Sequence, residues 1–147
     1  MTGAAGVLRP GRAEGPGDEF GRAGLCLFAE KMEAHRLMQG SLGNPWLISS
    51  FAALCRFPDH VRQRFKQSEL NPSGRYDVTL HHPIDEVPVT AIVDDRLPVG
   101  SSRKVKYVSV SSRGEVWPCI LEKAFARLWV TDEAMKGGAK GGYDAIK

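Results

Sequence analysis

The sequence predicts an α+β fold, mainly helical with a small antiparallel sheet. Three observations carry this: apolar residues at helical spacing after Asn44 and Pro45, the same spacing after Trp117 and Pro118, and a central stretch where the period shortens to two. Taken in order, "GLCLFAEKMEAHRLMQ" places Leu25, Phe28 and Met32 near helical spacing, which predicts a first helix. Asn44 and Pro45 are a start signal for the next. Asparagine accepts hydrogen bonds from the free amides as an N-cap, and proline at the first helical position gives up only an N–H that had no partner. The residue before proline is also pushed toward the extended dihedrals that a cap requires. Leu47, Phe51, Leu54 and Cys55 then share a face, while small Ser49, Ser50, Ala52 and Ala53 permit close packing elsewhere. Pro58 ends this helix, and "PDHVRQRFKQ" supplies a shorter one with Val61 and Phe65 inward, before a turn at "NPSG". Tyr76, Val78 and Leu80 alternate, as do Val87, Val89, Ala91 and Val93 with Ile92 on the opposite side, so two strands are expected, joined across "HPIDE". Val105, Tyr107, Val108 and Val110 predict a third. The last helix presents Trp117, Ile120, Leu121, Ala124, Phe125 and Leu128 as a broad apolar face.

Composition narrows the functional classes. The chain has 147 residues, 42% of them hydrophobic and 25% charged, which is the profile of one ordinary globular domain. No apolar run is long enough to span a bilayer. The net charge of +3, from 20 basic and 17 acidic residues dispersed along the sequence, does not make the basic stripe that nucleic acid or anionic lipid requires. Neither partner is expected. The three cysteines, Cys26, Cys55 and Cys119, are far apart and include no C-x-x-C pair, so neither a disulfide framework nor a zinc site is indicated. A cytoplasmic location fits this usage. The first residues lack the apolar run of a secretory signal, and they mix Arg9 and Arg12 with Glu14, Asp18 and Glu19, unlike an acid-poor transit peptide. Their Gly and Pro density predicts a flexible leader over residues 1–24, ahead of a folded unit over 25–147.

The blocks "QGSLGNPWLISSFAAL", "VDDRLPV" and "VWPCILEKAFARL", in this order, resemble the calpain family of papain-like cysteine endopeptidases, over about Gln39 to Gly142. The resemblance implies the first lobe of a papain-like protease core. The family pattern Q-G-x-L-G-D-C-W is matched by Gln39, Gly40, Leu42, Gly43 and Trp46; Asn44 replaces its Asp and Pro45 replaces its nucleophilic Cys. A papain-like thiol at a helix N-terminus is held as thiolate by the free amides, the macrodipole and a neighbouring imidazolium. Proline has no nucleophilic atom and no N–H, so it also removes a donor where an oxyanion hole would form. Gln39, six positions earlier, matches the oxyanion glutamine. The His and Asn of such a triad lie about 130 to 150 residues after the Cys, hence beyond Lys147. The expectation is therefore a calpain-type domain, partial and catalytically inactive, that binds another protein or the missing second protease lobe. The rival expectation is a segment of a calcium-dependent endopeptidase of intracellular proteolysis. No cofactor is expected; calcium is a property of some calpains, but the acidic residue those carry three positions before the glutamine is Arg36 here.

Other residues invite chemical readings, and each has a plainer one. Cys55 and Cys119 fall in packed helices, where a small buried thiol is common. His81 and His82 are adjacent on a strand and face opposite sides, so they cannot converge on one metal. Asp94 and Asp95, before Arg96 and Pro98, read as turn formers with an ion pair. Glu122 is expected on the solvated side of its helix.

Overall fold

A computed structural model describes residues 6–8, 25–40, 45–82, 85–99, 108–110 and 114–129. Period-two alternation yields a hairpin at the centre of the chain: β3 (Arg75–His81) and β4 (Pro88–Asp94) pair antiparallel from Arg75 opposite Asp94 to His81 opposite Pro88. One face of it, carrying Tyr76, Val78, Leu80, Ala91 and Val93, is buried, whereas Ile92 on the other face is half exposed. The far edge of β3 is covered as well. Lys66 N–H donates to the Asp77 carbonyl at 2.9 Å and Thr79 N–H to the Arg64 carbonyl at 2.7 Å. The turn before β3 closes because Gly74 takes φ +76° and donates its N–H to the Asn71 carbonyl at 2.8 Å.

The described residues include three α-helices that share one buried cluster with this hairpin. α1 (Pro45–Leu54) and α2 (Pro58–Gln63) both begin at a proline, and α3 (Trp117–Trp129) has Pro118 in its first turn. Phe51 of α1 and Trp117 of α3, both fully buried, meet with ring centroids 6.0 Å apart at 54°. Val61 and Phe65 point inward as the spacing predicts. Two further pairs of short strands complete the fold: β1 (Gly6–Leu8) with β5 (Leu97–Val99), and β2 (Leu37–Met38) with β6 (Ser109–Val110), both antiparallel. The architecture is α+β, with three α-helices and small antiparallel pairs among the described residues.

Two expectations need correction. The predicted helix over 25–39 is absent; the segment forms a bridge, bends, a 3₁₀ turn η1 (Ala34–Arg36) and β2. Its backbone is captured by the approach to α3: Cys26 N–H donates to the Gly114 carbonyl at 3.3 Å, while Val116 and Trp117 donate to the Cys26 and Leu27 carbonyls at 3.0 and 3.1 Å. Those tertiary bonds satisfy the groups that a helix would have used internally. Residues 6–8, within the expected leader over 1–24, form β1; residues 1–5 and 9–24 lie outside the described residues. The second is Glu122, which is buried because Val108 lies across that side of α3 and donates its N–H to Glu122 Oε2 at 2.5 Å. Of the third predicted strand, β6 is described and joins β2 instead of extending the hairpin; residues 101–107 and the cap Asn44 lie outside the described residues.

Candidate functional site

The start of α1 is where the sequence concentrates its chemical signals. Pro45 opens the helix and is exposed. Its carbonyl accepts a hydrogen bond from Ser49 Oγ at 3.0 Å, and the Trp46 carbonyl accepts one from Ser50 Oγ at 2.9 Å, so both nearby hydroxyls are turned back onto the helix. Trp46 meets Phe125 of α3 edge-on at 5.6 Å, and Leu47 is buried beneath it. The helix start is therefore locked to α3. Gln39 follows β2 and is exposed; β2 is in turn held by Leu37 opposite Val110 and Met38 opposite Ser109. Arg36, just before β2, forms an ion pair with Glu33. Residues 41–44, between Gln39 and Pro45, lie outside the described residues.

None of the described cysteines belongs to the first turn of α1. Cys55, at the far end of α1, is buried, and desolvation with the nearby Glu115 carboxylate pushes its thiol up to about 11. Cys119 Sγ donates to the Val108 carbonyl. Cys26 is half-buried and bridges to Glu115. The other sequence candidates also separate. His81 Nδ1 is 2.9 Å from Arg64 Nη1, whereas His82 Nδ1 faces Asp85, whose N–H lies 3.3 Å away. Asp94 pairs with Lys123 of α3, and Asp95 donates its N–H to the Gly74 carbonyl at 2.8 Å. Partial burial opposes ionisation of Asp94, but the Lys123 and Arg96 hydrogen bonds outweigh it and hold the carboxyl below its ordinary value. Among the described residues, no three His, Cys, Asp or Glu side chains converge as a metal would need.

Two polar groups that hold the site in place escaped the sequence reading. Glu115 is buried, and its Oε2 accepts from Trp117 Nε1 at 2.9 Å and from Ala29 N–H at 3.3 Å. A buried indole needs an acceptor, so a Glu two residues before a core Trp was the available signal. Lys123 donates to the carbonyls of Asp94 at 3.0 Å and Arg96 at 2.6 Å, strapping α3 to the end of β4. Nothing in its spacing announces that reach.

The calpain family cysteine protease profile matches residues 17–143. The chain belongs to this family. The calpain-type chain is 33% identical over 113 residues to the calpain-type cysteine protease DEK1 of Zea mays, covering 77% of this chain and 5% of that protein. It is 34% identical over 111 residues to calpain-12 of Homo sapiens, covering 74% of this chain and 15% of the relative. With calpain-5 of Mus musculus the identity is 33% over 119 residues, covering 76% and 18%. It thus spans a small fraction of the length of these relatives.

Proposed function

We propose that this calpain-type domain is catalytically inactive and serves as a protein-interaction module in the cytoplasm. The observation that carries the proposal is Pro45 at the first position of α1, aligned by the Q-G-x-L-G motif with the family's nucleophilic cysteine. Proline supplies neither a sulfur nor an N–H, so both the attack on a carbonyl and one donor to the developing oxyanion are lost there. Cys55, buried just after α1, and Cys119, buried and bonded to the Val108 carbonyl, are poorly placed to replace it. Arg36, paired with Glu33, puts a cation where some calpains carry an acidic residue, which favours a domain that works without calcium. In this reading the helix start is retained as architecture: Trp46, Leu47 and Phe51 anchor the lobe, and its remaining surface is left for a partner or a second protease lobe.

The test is proteolysis by the chain, and by any longer protein containing it, on a casein-like substrate with and without calcium. No turnover is expected, and a thiol-directed epoxide should leave position 45 unlabelled. Calcium-dependent cleavage abolished by that epoxide would overturn the proposal in favour of a segment of an active calcium-dependent cysteine endopeptidase.

A further inference from the structure

An open pocket of about 340 Å³ lies between residues 28–30 and the end of α2 with the residues that follow it, 62–68. That volume is at the small end of ligand pockets and holds one large side chain. Its apolar corner is Phe28 against Phe65, with ring centroids 5.1 Å apart and edge-on at 87°, an arrangement that a third apolar group can extend. Donors surround that corner. Arg62 donates through Nη2 to the carbonyls of Ala29 at 3.1 Å and Glu30 at 3.4 Å, bonds that fix the guanidinium without neutralising it. Its carboxylate contact, Asp59 at 3.4 Å, is well exposed and weak. Gln67 Oε1 accepts from Asp77 N–H at 2.9 Å, which leaves Nε2 as a donor with no acceptor among the described residues. Lys66 likewise makes no ion pair among them; its charge acts on Asp77, which Arg75 already holds at 2.9 and 3.2 Å. Glu30 is the one acid of the lining, so the pocket sets two cations against one anion.

We propose that this pocket is a recognition site for an acidic segment of a partner protein, holding a large apolar side chain against Phe28 and Phe65 and the carboxylate of the next residue on Lys66 and Gln67. Charge complementarity sets the sign of the partner, and the ring corner sets its apolar anchor. Glu30 and Lys66 are exposed, so an extended chain can cross the mouth while one side chain enters. The site gives the interaction role proposed for this domain a place and a partner chemistry; it rests on that role and not on the fate of the nucleophile.

The probe is a short fluorescent peptide of glycine and serine carrying one phenylalanine followed by one glutamate, titrated by anisotropy into the full chain at low salt. Saturable binding with Kd below roughly 1 mM is expected. Replacing the peptide's glutamate by glutamine, or its phenylalanine by serine, should weaken it at least about fivefold. Gln67→Glu keeps the oxygen that accepts from Asp77 and turns the donor into an anion, so it should weaken binding about tenfold or more. Lys66→Gln, at an exposed side chain, should weaken it roughly threefold with the urea midpoint unchanged. No saturable binding to the wild type, equal affinity for the glutamine or serine peptide, or affinity unchanged in Lys66→Gln or in a folded Gln67→Glu would each overturn the proposal. Phenylpropionate binding as tightly as the peptide would also overturn it, because the site would then take a small carboxylate instead of a chain. Casein turnover would remove the inactivity and leave this site standing, whereas absent peptide binding would remove the site and leave the inactivity.

Discussion

Gln39 and Phe51 separate two meanings of a family match. Both stand in the stretch that resembles a protease helix, but Gln39 is exposed and Phe51 is sealed against Trp117. Phe51→Ala should cost about 3 to 5 kcal/mol through the cavity it leaves, a large share of the stability of such a domain. Gln39→Ala should stay within about 0.5 kcal/mol, as surface substitutions do. Urea unfolding of the two variants checks both, and a Gln39→Ala loss equal to that of Phe51→Ala would make the glutamine a structural group. Cys55 gives a pH prediction. Its thiol is raised from 9.0 to about 11 in the folded chain, so the neutral form is favoured by folding. That contribution is complete below pH 9 and is lost as pH rises through 11. The urea midpoint of the wild type should therefore fall more steeply between pH 9 and 11 than that of Cys55→Ala, and at pH 8 iodoacetamide should label Cys55 only after unfolding.

At the scale of elements, a glycine turn and a lysine strap fix how the hairpin sits. A Cβ added at Gly74 would lie 2.5 Å from Asp95 Oδ1, and the backbone there has φ +76°. Gly74→Ala should accordingly destabilise by more than about 1 kcal/mol, since strain and collision act together and exceed the stabilisation that comes from the lower entropy of the unfolded chain. Thermal unfolding followed by circular dichroism measures it, and an unchanged midpoint would mean that the turn relaxes. The helices were legible because proline marks their starts and their apolar faces repeat at 3.6 residues; Val61, Phe65 and the α3 face are buried as their spacing implies. The hairpin was legible for the same reason with a period of two. The segment over 25–39 was not, because its helix-like composition competes with the bond to the Gly114 carbonyl and those from the Val116 and Trp117 N–H groups, and with the bond from Ala29 N–H to Glu115 at a separation of 86.

For the whole molecule, α1, α3 and the hairpin share one buried cluster that includes Phe51, Tyr76, Leu80, Trp117 and Phe125. A single cluster with no second core among the described residues should unfold in one step. Far-ultraviolet circular dichroism and tryptophan fluorescence should then give coincident urea transitions, and separated transitions would mean that the hairpin and helices melt independently. What the sequence by itself determined is the local part: where helices begin, which period each stretch follows, which family the ordered blocks belong to, and that residue 45 offers no nucleophile. These are properties of single residues and near neighbours, and they need no knowledge of what lies across the core. Only the tertiary structure decided that Cys26 and Leu27 pair with the approach to α3, that Glu115 and Glu122 are buried acceptors, that Lys123 reaches the β4 corner, and that residues 6–8 pair with β5. Each of those depends on two distant segments meeting, where a buried donor or acceptor must be satisfied by whichever group the fold brings to it.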